Sequence, residues 1–82
     1  MKIKNKNVLI TGASQGIGKS TAIFLSKQGA NVIINFNSNG SLANEVLKEC
    51  NKYSQKNIVI KADIRNENDV KQMFDKIAKT YG

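Results

Sequence analysis

Eighty-two residues make one small domain at most, and 40% hydrophobic residues suffice for a core. No run reaches the length of a membrane span, histidine is absent, and the lone Cys50 can neither close an internal disulfide nor anchor a metal cluster. The net charge of +7 is uneven, with five lysines and no carboxylate in residues 1–44, but these lysines are scattered without interleaved aromatics, which argues against a nucleic-acid stripe.

Met1 to Lys6 has no apolar stretch and no small-residue cleavage site, so no signal peptide is expected and the expected compartment is the cytoplasm. Asn7-Val8-Leu9-Ile10-Thr11 is a short apolar run that reads as a buried parallel strand. Gly16 to Gln28 suits a helix, with Ile17, Thr21, Phe24 and Leu25 expected on its apolar side and Gly29 at a left-handed cap. Asn31-Val32-Ile33-Ile34-Asn35-Phe36 is a second, β-branched strand, followed by the turn cluster Asn37-Ser38-Asn39-Gly40.

Ser41 is the expected cap of a second helix whose stripe is Leu42, Val46, Leu47 and Cys50, which makes Cys50 a buried structural thiol. Asn57 to Ala62 reads as the third strand. Asn66 with Asp69 three residues on resembles a capping box, and Val70, Met73, Phe74, Ile77, Ala78 and Tyr81 keep a helical period behind it. Phe74 and Tyr81 are expected in the core. Strand–helix alternation with short loops means parallel strands joined by right-handed crossovers. The fold class is therefore α/β, a βαβαβα unit amounting to about half of a doubly wound nucleotide-binding fold.

Between the first strand and the first helix lies Thr11-Gly12-Ala13-Ser14-Gln15-Gly16-Ile17-Gly18. Glycines there let the backbone approach a ligand closely, and the helix that follows points its free N–H groups at the same spot, an arrangement suited to pyrophosphate. The spacing is G-x-x-x-G-x-G rather than the more common G-x-G-x-x-G. A phosphate loop of triphosphatases is a rival, since Gly18-Lys19-Ser20 supplies its last three letters. Its first glycine would have to be residue 13, which is alanine, and counting from Gly12 leaves one residue too many.

Val8 to Gly18 resembles the T-G-x-x-x-G-x-G signature of the short-chain dehydrogenase/reductase family, and the similarity runs from about Lys6 to Gly82, including Gly29-Ala30, Lys61-Ala62-Asp63-Ile64 and Tyr81-Gly82. Within the family the chain is most similar to bacterial 3-oxoacyl-[acyl-carrier-protein] reductases. The resemblance implies the N-terminal half of a Rossmann-type sheet, with Gly12, Ser14, Gln15, Gly16, Ile17 and Gly18 around the pyrophosphate and adenosine ribose. It implies Asp63 and Ile64 at the adenine, the carboxylate accepting from the exocyclic amine. The family's strand order, with the first strand central, implies an open edge on that strand in this segment.

The end of the second strand decides the cofactor. Enzymes that prefer NAD place an acid there for the ribose 2′-hydroxyl. This chain has Asn37 and Ser38, which can donate to a 2′-phosphate, and no carboxylate to repel one. NADP(H) is therefore favoured over NAD(H), although Gln15 stands where NADP-binding members often carry a basic residue. The family's serine, assisting asparagine and Tyr-x-x-x-Lys are not within residues 1–82: Tyr53 is followed four residues later by Asn57, and nothing follows Tyr81 but Gly82. Residues 1–82 thus read as one cofactor-binding segment, cut before the catalytic half. The resemblance further implies a small-molecule or acyl-carrier-protein-bound carbonyl substrate and a tetrameric homo-oligomer. Another short-chain alcohol or carbonyl oxidoreductase and a non-catalytic dinucleotide-binding module are the alternatives, with the triphosphatase more remote.

Overall fold

The computed structural model describes residues 2–82. Among them strands and helices alternate as β1 (Asn7–Ile10), α1 (Gly16–Lys27), β2 (Asn31–Phe36), α2 (Gly40–Cys50), β3 (Ile58–Lys61) and α3 (Glu67–Tyr81). The strands are parallel in the order β1-β2-β3, with Asn7 opposite Asn31 and Ile33 opposite Ile58. This is the α/β, Rossmann-like half-sheet expected from the alternation. No helix of the described residues is long and apolar enough to cross a membrane.

The central strand explains the layers. Its side chains alternate between faces, and both faces are covered, so Val32, Ile33 and Ile34 are all buried. Val32 and Ile34 pack with Ala22 of α1 and Ala43, Val46 and Cys50 of α2. Ile33 faces the other way and packs with Ile60, Ala62 and Met73 of α3. β1 is paired on one side only, by β2, and its Val8, Leu9 and Ile10 are half-buried.

The first helix ends as the sequence implies. Gly29 adopts φ +90°, and the N–H groups of Gly29 and Ala30 donate to the carbonyls of Ser26 and Leu25. That is the paired pattern of a Schellman cap, which needs a left-handed residue at this position.

Four expectations need correction. α2 starts at Gly40 and is capped by Asn39, whose Oδ1 accepts from the Leu42 N–H at 3.1 Å, not by Ser41. Asn66 does cap α3, accepting from the Asp69 N–H at 3.1 Å, but the Asp69 carboxylate turns to the N–H of Asp63 instead of closing a capping box. On α1 the buried residues are Ala22 and Ser26, while Ile17 and Phe24 lie exposed. On α3 only Met73 is fully buried, and Phe74 is 53% exposed. Ile77 and Tyr81 pack at the margin of the core, and the Tyr81 hydroxyl donates to the Lys56 carbonyl.

Asn35 is a buried polar side chain within the central strand, one of three buried polar residues, with Ser26 and Ser54, among the described residues. It is buried in β2, and its Nδ2 donates to the carbonyls of Ile60 at 3.4 Å and Ala62 at 3.1 Å. Its own carbonyl accepts from the Ala13 N–H at 3.1 Å. Replacing Asn35 with leucine keeps the volume but removes the side-chain donor from the buried Ala62 carbonyl, so unfolding free energy should fall by about 1–3 kcal/mol in urea titrations. Cys50 is buried against this core, and burial pushes its thiol above the usual range. A thiol-specific reagent at neutral pH should label Cys50 only at the rate of unfolding. Stability contributed by the protonated thiol should be present below the usual thiol range and fade as pH rises through the folded-state value, a decline that Cys50→Ala removes.

Candidate functional site

The turn between β1 and α1 lies at the carboxyl end of the strands. Gly12 and Gly16 have φ +63° and +64°, the left-handed region that favours glycine. A Cβ at either would meet nothing within 4 Å, so space stands open above both. Gly18 has a different reason to be glycine: a Cβ there would lie 2.5 Å from the Gly12 carbonyl oxygen. Two glycines therefore shape the turn, and the third lets α1 close down on it.

The turn presents donors without acceptors. Ala13 is buried and its N–H is taken by Asn35, but the N–H groups from Ser14 to Gly18 have no acceptor among the described residues. Gln15 occupies the N-cap without a side-chain hydrogen bond, and the first turn of α1 holds no acidic residue. The Ser14 hydroxyl is likewise unpaired among the described residues and half-buried, while Gln15 and Ile17 are exposed. Free N–H groups at the positive end of a helix, over an open concavity, fit a pyrophosphate. Beside them Gly16, Ile17, Ser20, Thr21 and Phe24 line a shallow apolar groove.

Asn37 and Ser38 follow β2 directly, exposed, with neither side chain hydrogen-bonded among the described residues. Asn35 ties this strand end to the glycine turn through Ala13 and to the exit of β3 through Ala62. The turn at residues 12–18, Asn37 and Ser38, and the loop at Asp63 and Ile64 therefore share one edge of the sheet.

At that third segment Asp63 is not a free carboxylate. Its Oδ1 accepts from the N–H of Arg65 at 2.9 Å and from Arg65 Nε at 3.0 Å, and its Oδ2 accepts from Arg65 Nη2 at 3.1 Å. The Arg65 side chain, and then its backbone N–H, hold the Asp63 carboxyl below the usual carboxylate range. Ile64 is 54% exposed. Sequence reasoning missed Asn35 and Arg65 and gave Asp69 only a capping role; an asparagine inside an apolar strand was the one visible signal. A cleft of about 570 Å³ beside Lys4, Asn7 and Tyr53 lies at the opposite end of the strands, away from every glycine of the turn.

Comparison with known proteins fits this geometry. Residues 6–82 match the family described as short chain dehydrogenase. Tetrahydroxynaphthalene reductase PfmaG of Pestalotiopsis fici is 44% identical over 77 residues, covering 94% of this chain and 28% of that protein. The NADP(+)-dependent L-rhamnose 1-dehydrogenase of Thermoplasma acidophilum is 39% identical over the whole chain and 32% of its own length. A solved structure of the promiscuous reductase LugOII, which catalyses keto-reduction at C1 in lugdunomycin biosynthesis, superposes with a TM-score of 0.79 and 31% identity over 89% of this chain and 30% of its own. The chain thus spans about a third of the length of the relatives it matches.

The two kinds of glycine should separate on substitution. Gly12→Ala places a side chain at positive φ in open space and should cost about 1–2 kcal/mol. Gly18→Ala drives a methyl into a backbone carbonyl, so the turn must move, and the loss should be about 1–3 kcal/mol. Of the two, only Gly18→Ala should lift α1 off the turn, visible as amide chemical-shift changes extending from Gly12 into α1.

Proposed function

The chain belongs to the short-chain dehydrogenase family, and we propose that it supplies the NADP(H) site of a reductase. The row of N–H groups from Ser14 to Gly18 at the mouth of α1, unpartnered among the described residues, carries this reading. Gly12, Gly16 and Gly18 shape the pyrophosphate cradle, Ser14 and Gln15 donate at its rim, and Ile17 borders it. Asn37 and Ser38 donate to the ribose 2′-phosphate, and Asp63 with the Ile64 N–H takes the adenine. The bound dinucleotide supplies the hydride. The residues that deliver the proton lie in the part of a full-length reductase that residues 1–82 do not include.

The substrate is a ketone or its alcohol. Similarity of the N-terminal motifs favours a 3-oxoacyl group on acyl carrier protein, in fatty acid synthesis in the cytoplasm, by a homotetramer. The reductase names of the hydroxynaphthalene relatives favour a second substrate class, cyclic aromatic ketones.

Fluorescence titration of NADPH and NADH tests the cofactor. NADPH should bind about tenfold tighter, the scale of one charge-assisted contact. Asn37→Asp should reverse the order by placing a carboxylate at the 2′ position. Equal binding of both by the unaltered protein overturns the preference. Lys19→Ala should have little effect, whereas ATP hydrolysis dependent on Lys19 would mark a triphosphatase instead.

A further inference from the structure

Asp63 and Ile64 are more narrowly defined than a loop with one acid. Ala62 N–H donates to the Phe36 carbonyl at 2.9 Å, and Asp63 N–H to Asp69 Oδ2 at 3.0 Å. The N–H groups of Arg65 and Asn66 are taken by the Asp63 carboxylate and the Asp63 carbonyl, each at 2.9 Å. Of the five N–H groups from Ala62 to Asn66, Ile64 alone has no acceptor among the described residues.

The carboxylate is equally constrained. An ionised carboxylate offers about four acceptor positions, two on each oxygen. Arg65 fills both on Oδ1, through its backbone N–H and Nε, and one on Oδ2, through Nη2. A single acceptor position on Oδ2 is left, one residue before a single N–H unpaired among the described residues, and the Ile64 side chain is exposed.

We propose that Arg65 is a positioning residue for base recognition: its fork orients the Asp63 carboxylate so that one acceptor stands beside the Ile64 N–H, a pair that takes a 6-aminopurine and rejects a 6-oxopurine. The proposal rests on the dinucleotide reading above. An aminopurine presents an N–H donor at position 6 and an acceptor at N1, which meets acceptor and donor in turn. An oxopurine presents an acceptor at position 6 and an N–H at N1, so oxygen faces carboxylate and N–H faces N–H. Arg65 sharpens this choice because its fork prevents the carboxylate from rotating to relieve the clash. Lysine cannot substitute, because it brings charge without a planar fork.

The test compares NADP⁺ with its 6-oxo analogue, nicotinamide hypoxanthine dinucleotide phosphate, by calorimetric titration of the protein. The unaltered protein should prefer NADP⁺ by about tenfold, the scale of one mismatched hydrogen bond. Arg65→Ala should bring the two within about twofold while leaving the ratio of NADP⁺ to NAD⁺ affinity and the melting temperature unchanged, since Arg65 is exposed and its side chain bonds to Asp63 alone among the described residues. Arg65→Lys should behave like Arg65→Ala. A merely structural role would weaken both analogues alike and keep their ratio. An unchanged ratio in Arg65→Ala overturns the assignment, and full recovery by Arg65→Lys overturns the fork in favour of charge alone. Failure of the dinucleotide reading looks different: the unaltered protein would then bind neither compound.

Discussion

The buried amide of Asn35 is the constraint on which the rest of the site depends. The carboxyl end of a parallel sheet is where strand carbonyls and N–H groups run out of ladder partners and must find others. One side chain solves this for two strands, its Nδ2 bridging to Ile60 and Ala62, while its own carbonyl holds Ala13. The glycine turn, the end of β2 and the exit of β3 are thereby held at one edge. A leucine there would fill the volume equally well and join nothing.

Electrostatics at this edge follow from what is paired and what is not. The turn leaves its N–H groups open and has no acid in the first helical turn, so an anion meets a field uncompensated by the protein. At the same end of the sheet the Asp63 carboxylate is occupied by Arg65. An isolated exposed ion pair contributes little to stability. Its consequence here is directional, since it fixes which lone pair remains available. Asp69 serves the same end by holding the Asp63 N–H from the first turn of α3.

Several apolar surfaces remain uncovered. β1 has one unpaired edge, and Ile17 on α1 and Phe74 on α3 are 87% and 53% exposed. These are large side chains on regular elements, and the two helices that carry them pack on opposite faces of the sheet.

Much of this was legible in the amino-acid order. The unbroken β-branched run of β2 means a strand buried on both faces, whereas β1, which also reads as buried, is only half-buried because one edge is unpaired; alternation with helical periods means parallel crossovers, and Gly29 can end a helix because glycine adopts positive φ cheaply. The spacing of Gly12, Gly16 and Gly18 located the turn. What periodicity could not supply was width: an apolar stripe on α1 or α3 says that one face is apolar, but the sheet beneath decides how much is covered, and it covers Ala22 and Met73 while leaving Ile17, Phe24 and Phe74 out. Nor could it choose among neighbouring caps, since Asn39 and Ser41 both carry suitable oxygens and only backbone geometry selects between them. The bonds of Asn35, Asp69 and Arg65 were hidden for a related reason. Hydrogen bonds are satisfied by whatever acceptor the packed chain brings within 3 Å or so, and for Asn35 that acceptor comes from a strand more than twenty residues away.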